Sequence, residues 1–210
     1  MGFKSVGIVV LLCVSAAIAQ DATLNGSITV MLLNKAGASR AVLHKAEGEV
    51  SRIFRAAGVD ITWNECWVTH GCHHILAADE FVLNVIPEGK GCSDGAFGVA
   101  FLDPAGNGRY ADVFYRKIKE EAEGGGPDPG RMLGAVAAHE LGHLVLGSNS
   151  HRPRGIMMPV WNETTLRMIG IGGLSFTNAE VALMRAKTRM GRGIRPTTEF
   201  TLVQELGSKP

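Results

Sequence analysis

The sequence predicts one α+β domain, and three observations carry that reading. Short apolar strand patterns recur at 28–33, 59–63, 81–86, 97–102 and 111–115. A helical periodicity separates the first strand from the other four, and a longer helix follows only after the last strand. Elements in the order strand, helix, four strands, long helix, loop, helix call for one twisted sheet with helices packed behind it.

Each element has its own local cause. The run 28–33 (ITVMLL) is apolar apart from Thr29, the pattern of a buried strand. From Ser39 to Ala57 the positions Val42, Ala46, Val50, Ile53 and Ala57 step by three and four along one helix face, and Gly58 is placed to end the helix. Val59, Ile61 and Trp63 alternate with polar residues as a half-buried strand does. The strand 81–86 is closed by Pro87, and the turn 104–108 (PAGNG) separates the last two strands. The loop 124–130 ends in Asp128 and Pro129, a capping residue followed by a residue suited to the first helical position, and the helix runs to about Leu146. Thr177 and Glu180 form a capping box before a last helix over 181–189. The mixed charge run 117–123 reads as a solvated segment.

Composition narrows the function classes. Twenty-one Lys and Arg face 20 Asp and Glu, for a net charge of +1, so no whole-molecule field attracts nucleic acid or an anionic membrane. The 27 glycines show no period, which excludes collagen and solenoid arrays. The first residues read as a processing signal: Lys4, an uncharged apolar run over 6–18, and Ala17-Ile18-Ala19 ahead of a cleavage before Gln20. The run is short for a membrane span, so the expectation is a chain released to the periplasm or outside the cell, without stable membrane association. Lipid attachment at Cys13 is the rival reading, but Leu12 stands where a small residue belongs. The expected organisation is therefore a signal at 1–19, one domain at 20–190 and a loosely ordered tail at 191–210, with a monomer as the working unit. Cys66, Cys72 and Cys92 would then lie in an oxidising compartment, and the short spacing of the first two favours a Cys66–Cys72 disulfide.

Chemistry concentrates in His139-Glu140-Leu141-Gly142-His143, inside the predicted long helix. Side chains four apart on a helix point the same way, about 6 Å apart along the axis, so two imidazoles can converge on one zinc ion. Glu140 falls beside such an ion, where a carboxylate can act as general base towards water and later pass the proton to a leaving amine. Burying two histidines and a glutamate in this apolar helix without a metal would be costly. A third ligand must come from downstream. His151 lies eight residues after His143, about 12 Å further along a continuous helix, so the helix must break first. Gly147 can end it in a left-handed cap, and Ser148, Asn149 and Ser150 can turn the chain back. Glu163 and Glu180 are acidic alternatives, although the capping box already occupies Glu180.

The stretch HELGHLVLGSNSHRPRGIMMP resembles the metzincin clan of zinc endopeptidases, whose pattern is HExxHxxGxxH followed by a turn carrying a methionine beneath the metal. The resemblance implies Zn²⁺ held by His139, His143 and His151, Glu140 as general base, Gly147 as the helix break and Met157 as the turn methionine. Residues 98–115 look like a matrixin edge strand, bulge and following strand, which implies a mixed sheet with an antiparallel edge, a backing helix, an active-site helix, a Met-turn and a C-terminal helix. A peptide or protein substrate would then lie along Val99, Ala100 and Phe101 by strand addition. The spacing departs from the clan's: HExxHxxxGxxxH has one extra residue on each side of the glycine. Met158 follows the turn methionine, so no tyrosine is offered there as an oxyanion donor. Two rivals remain: a zinc peptidase with an acidic third ligand, and a secreted zinc-stabilised binding protein without turnover. The cluster Cys66, His70, Cys72, His73 and His74 reads as a stapled exposed loop rather than a second metal site.

Overall fold

A computed structural model describes residues 25–66, 75–89 and 95–190. The expected signal, the tail beyond 190, and Cys72, Cys92 and the three loop histidines lie outside the described residues.

The elements are β1 (Gly26–Asn34), α1 (Arg40–Ala56), β2 (Val59–Glu65), β3 (Glu80–Ile86), β4 (Gly98–Phe101), β5 (Tyr110–Phe114), α2 (Tyr115–Glu123), α3 (Pro129–Leu146), α4 (Glu163–Gly170) and α5 (Asn178–Met190). The five strands form one sheet in the order β2-β1-β3-β5-β4. Neighbours are parallel except β4, which runs antiparallel to β5 at the edge.

The period-two geometry of β1 sorts its side chains. Ile28, Val30 and Leu32 join Leu83, Val85, Ala111 and Val113 in the core shared with α1 and α3. Met31 turns to the other face, where it packs with Val82 and Cys66 in a small second cluster. Ser39 caps α1 by accepting a hydrogen bond from the Val42 amide, and the chain leaves α1 through Gly58 at φ 75°. Leu43, Ala46, Val50, Ile53 and Phe54 are the buried face of α1. The α3 helix is buried almost all round because it lies between α1, the sheet and the C-terminal helices. No helix among the described residues is long and apolar enough to cross a membrane.

Two segments differ from expectation. The charge run 117–123, read as a solvated segment, forms most of a helix, α2, that the sequence reading did not include. Ile118 is fully buried while the charged side chains stay outside, so a single apolar anchor docks an otherwise polar helix. Glu163 opens α4, a helix absent from the sequence reading, because the Asn162 side chain accepts from the Thr165 amide and starts a helix there. The capping box of α5 is present: the Thr177 amide and hydroxyl donate to Glu180 Oε2 at 2.7 and 2.8 Å.

Candidate active site

Asp128 starts α3 by accepting from the Gly130 and Arg131 amides, with Pro129 in its first turn. Burial opposes its charge, but Lys45 and those amides outweigh burial and hold the carboxyl below its usual range. At the other end Gly147 takes the left-handed conformation at φ 60°, ψ 41° and donates to the His143 and Leu144 carbonyls. Lys187 on α5 donates to Leu146 O and adds a positive charge at the same helix terminus. The helix therefore stops one turn after His143, and the chain doubles back through Ser148 to Ser150.

That reversal brings His151 over the helical pair. Its ring centroid lies 5.3 Å from that of His139 and 4.9 Å from that of His143. Ligand atoms of the three histidines lie within 4.8 Å of one another, a grouping able to hold a metal ion. Neither Glu163 nor Glu180 belongs to it. Glu180 is buried with one oxygen committed to the α5 cap.

The outward nitrogens of the helical histidines are fixed by backbone carbonyls. His139 donates from Nδ1 to Ile156 O at 2.8 Å, and His143 from Nδ1 to Ser148 O at 2.7 Å. Burial keeps both rings neutral, with the pKa of His139 pushed down to about 4 and that of His143 lowered as well. A neutral imidazole that donates from Nδ1 has a bare lone pair on Nε2. The two Nε2 atoms face each other 3.0 Å apart with no proton to share. Two nitrogens about 2.05 Å from one ion at the tetrahedral angle would stand about 3.3 Å apart. The donor set and its hydrogen-bonded orientation thus fit a cation.

Glu140 is 7% exposed, and burial pushes its carboxyl up to about 8. Gly98 at the start of β4 leaves room for it, since a Cβ there would stand 2.8 Å from the Glu140 Cγ and Oε1. This was not legible in the sequence, because nothing in the spacing of residues 98 and 140 indicates that they touch. Met157 is fully buried. Its sulfur lies against Gly142, between the two helical histidines, where a Cβ would stand 2.8 Å from Sδ. The Arg152 amide donates to Met157 O at 2.8 Å, which closes the turn that carries this methionine.

These groups open on a cleft of about 640 Å³. Val99 and Ala100 line it, whereas Phe101, expected beside them, is not part of the lining and is 50% exposed. Phe101 is the last residue of β4, beyond the continuous stretch 95–100 that lines the cleft. Val136, Pro159, Val160 and Trp161 add apolar lining. Trp161 stacks on Phe97 at 6.3 Å between ring centroids and meets His139 edge-on at 5.9 Å. Sequence reading passed over Trp161. An aromatic two residues after the proline that closes the methionine turn was the available signal.

No protein-family model matches the chain, and no curated protein sequence matches it. Solved structures do. A metalloproteinase-II from Bacteroides fragilis is 11% identical, with a TM-score of 0.49, covering 76% of this chain and 52% of its own. A zinc-dependent peptidase from Methanocorpusculum labreanum is 15% identical, with a TM-score of 0.50, covering 74% of this chain and 99% of its own. At that identity the likeness is one of fold: this chain is built on the same mixed α+β frame as the Methanocorpusculum zinc-dependent peptidase.

Proposed function

We propose that the chain is an exported zinc endopeptidase of metzincin type, with Zn²⁺ held by His139, His143 and His151 and Glu140 as general base. The observation that carries the reading is the pair of bare Nε2 atoms 3.0 Å apart in an open cleft, with a buried carboxylate from the same helix beside them. The shared fold supports it, because the Methanocorpusculum protein is a zinc-dependent peptidase. When bound, zinc supplies a Lewis acid that polarises a carbonyl and lowers the pKa of water.

The chain's own residues do the rest. Glu140 accepts the proton of the attacking water as the oxygen–carbon bond forms. It delivers that proton to the amide nitrogen as the carbon–nitrogen bond breaks, so charge and atoms balance within one turnover. Its burial makes it a stronger base than a solvated carboxylate, and a cation at the histidines keeps it ionised. The edge of β4 away from β5 has no strand on it among the described residues, so an extended peptide can add there through main-chain hydrogen bonds. The apolar lining from Val136, Val160 and Trp161 suits an apolar substrate side chain. Export rests on the apolar start of the sequence and on the Ala17-Ile18-Ala19 site.

The test is cleavage of casein or gelatin by the full chain, before and after chelation and after zinc is restored. Activity should vanish with the chelator and return with zinc. His151→Ala should lower zinc content sharply, while Glu163→Ala and Glu180→Ala should leave the centre loaded. A fully loaded His151→Ala protein would refute the ligand set. A zinc-replete protein without proteolysis would mark a binding protein instead.

A further inference from the structure

A second group of ligand-type atoms lies where α1 meets the end of β2, away from the cleft. His44 and Glu47 are one turn apart on α1, and Glu65 is the last residue of β2. His44 Nδ1 lies 3.2 Å from Glu47 Oε2 and 3.9 Å from Glu65 Oε1. One ligand atom from each of the three residues lies within 4.8 Å of the other two. Ligands about 2.0–2.2 Å from one ion in tetrahedral array would stand about 3.3–3.6 Å apart, so small side-chain adjustments bring these three onto such an ion.

The charge balance points the same way. An imidazole offers at most one positive charge against two carboxylates. Glu47 is only 12% exposed at its side chain, and its Oε1 is fully buried with no hydrogen-bond partner. A carboxylate held so, facing a like charge, is costly unless a cation compensates it. One nitrogen and two oxygens suit zinc or cobalt(II) better than a thiophilic ion such as copper(I). The pair one turn apart on a helix, completed by a strand end, would also clip α1 to the neighbouring edge strand.

The geometry points to a second divalent-cation site, built from His44, Glu47 and Glu65, that takes zinc or a similar transition ion and ties α1 to β2. It is independent of the cleft and of the peptidase reading. The experiment measures metal per chain in the full-length protein equilibrated with zinc, for the parent, His44→Ala, Glu65→Gln and His139→Ala. The parent should carry about two zinc ions, and each of the three variants about one. His44→Ala and Glu65→Gln should keep the parent's casein-cleaving rate, since neither residue lines the cleft. In the His139→Ala background, zinc should still raise the melting temperature, and adding His44→Ala should abolish that rise. Zinc content unchanged by both His44→Ala and Glu65→Gln would overturn the site.

Discussion

Replacing Glu140 by Gln separates the cost of burying this carboxyl from its use. In the folded chain the group is 7% exposed, with its pKa raised by burial from an ordinary 4.5 to about 8. At pH 7 an unfolded chain holds it ionised and the folded chain holds it protonated. Because the folded pKa is the higher one, the group costs stability above 4.5, and the cost grows until about 8 and is constant beyond. Each pH unit contributes about 1.4 kcal/mol, so between 4.5 and 7 the cost reaches about 3 kcal/mol. Glutamine has nearly the same shape and no charge to lose. Chelator-treated Glu140→Gln should therefore be more stable than the parent by about 3 kcal/mol at pH 7 and by little at pH 4.5. Restoring zinc should narrow the gap, because a cation at the histidines stabilises the ionised carboxylate of the parent. Urea unfolding at several pH values gives the stabilities. Casein cleavage by the zinc-loaded variant should fall by about 10² to 10⁴-fold, the usual contribution of a general base. A stability difference that stays flat with pH would refute the burial argument, and a zinc-loaded variant that still cleaves would refute the catalytic role.

Three further outcomes follow from local geometry. Gly147→Ala puts a Cβ on a residue at φ 60° and 2.8 Å from Gly106 O, so stability should fall by about 2 kcal/mol in denaturant melts. Zinc affinity, read by chelator competition, should fall with it because the turn no longer aims His151. Gly142→Ala drives a Cβ to 2.8 Å from both Met157 Sδ and Phe176 Cε1, and overpacking there should cost about 1–3 kcal/mol of unfolding free energy. For the cysteines, peptide mapping under non-reducing conditions should recover Cys66 linked to Cys72, and recovery of Cys66 linked to Cys92 would overturn that pairing.

Where the signal was local, the sequence was enough. The step of three and four along α1, the Asp128-Pro129 start of α3, Gly147 past its end and the Thr177–Glu180 capping box each act within one or two turns of chain, and all four stand in the structure. The HExxH spacing determined that His139 and His143 share a helix face, because rise and twist per residue leave no other arrangement. Short polar helices escaped. The α2 helix buries one residue, Ile118, and α4 two, Thr165 and Ile169, too few for a periodic pattern to stand out.

Only the tertiary structure decided how distant residues meet. That β4 sits antiparallel at the edge, with Gly98 against Glu140, depends on strand order, a non-local property. The neutral tautomers of His139 and His143 depend on the carbonyls of Ile156 and Ser148, which reach them only after the chain has reversed beyond Gly147. His44, Glu47 and Glu65 show no motif at all. They meet because parallel pairing of β1 and β2 sets the end of β2 beside α1, and the energy of that pairing comes from backbone and core rather than from the three side chains that it gathers.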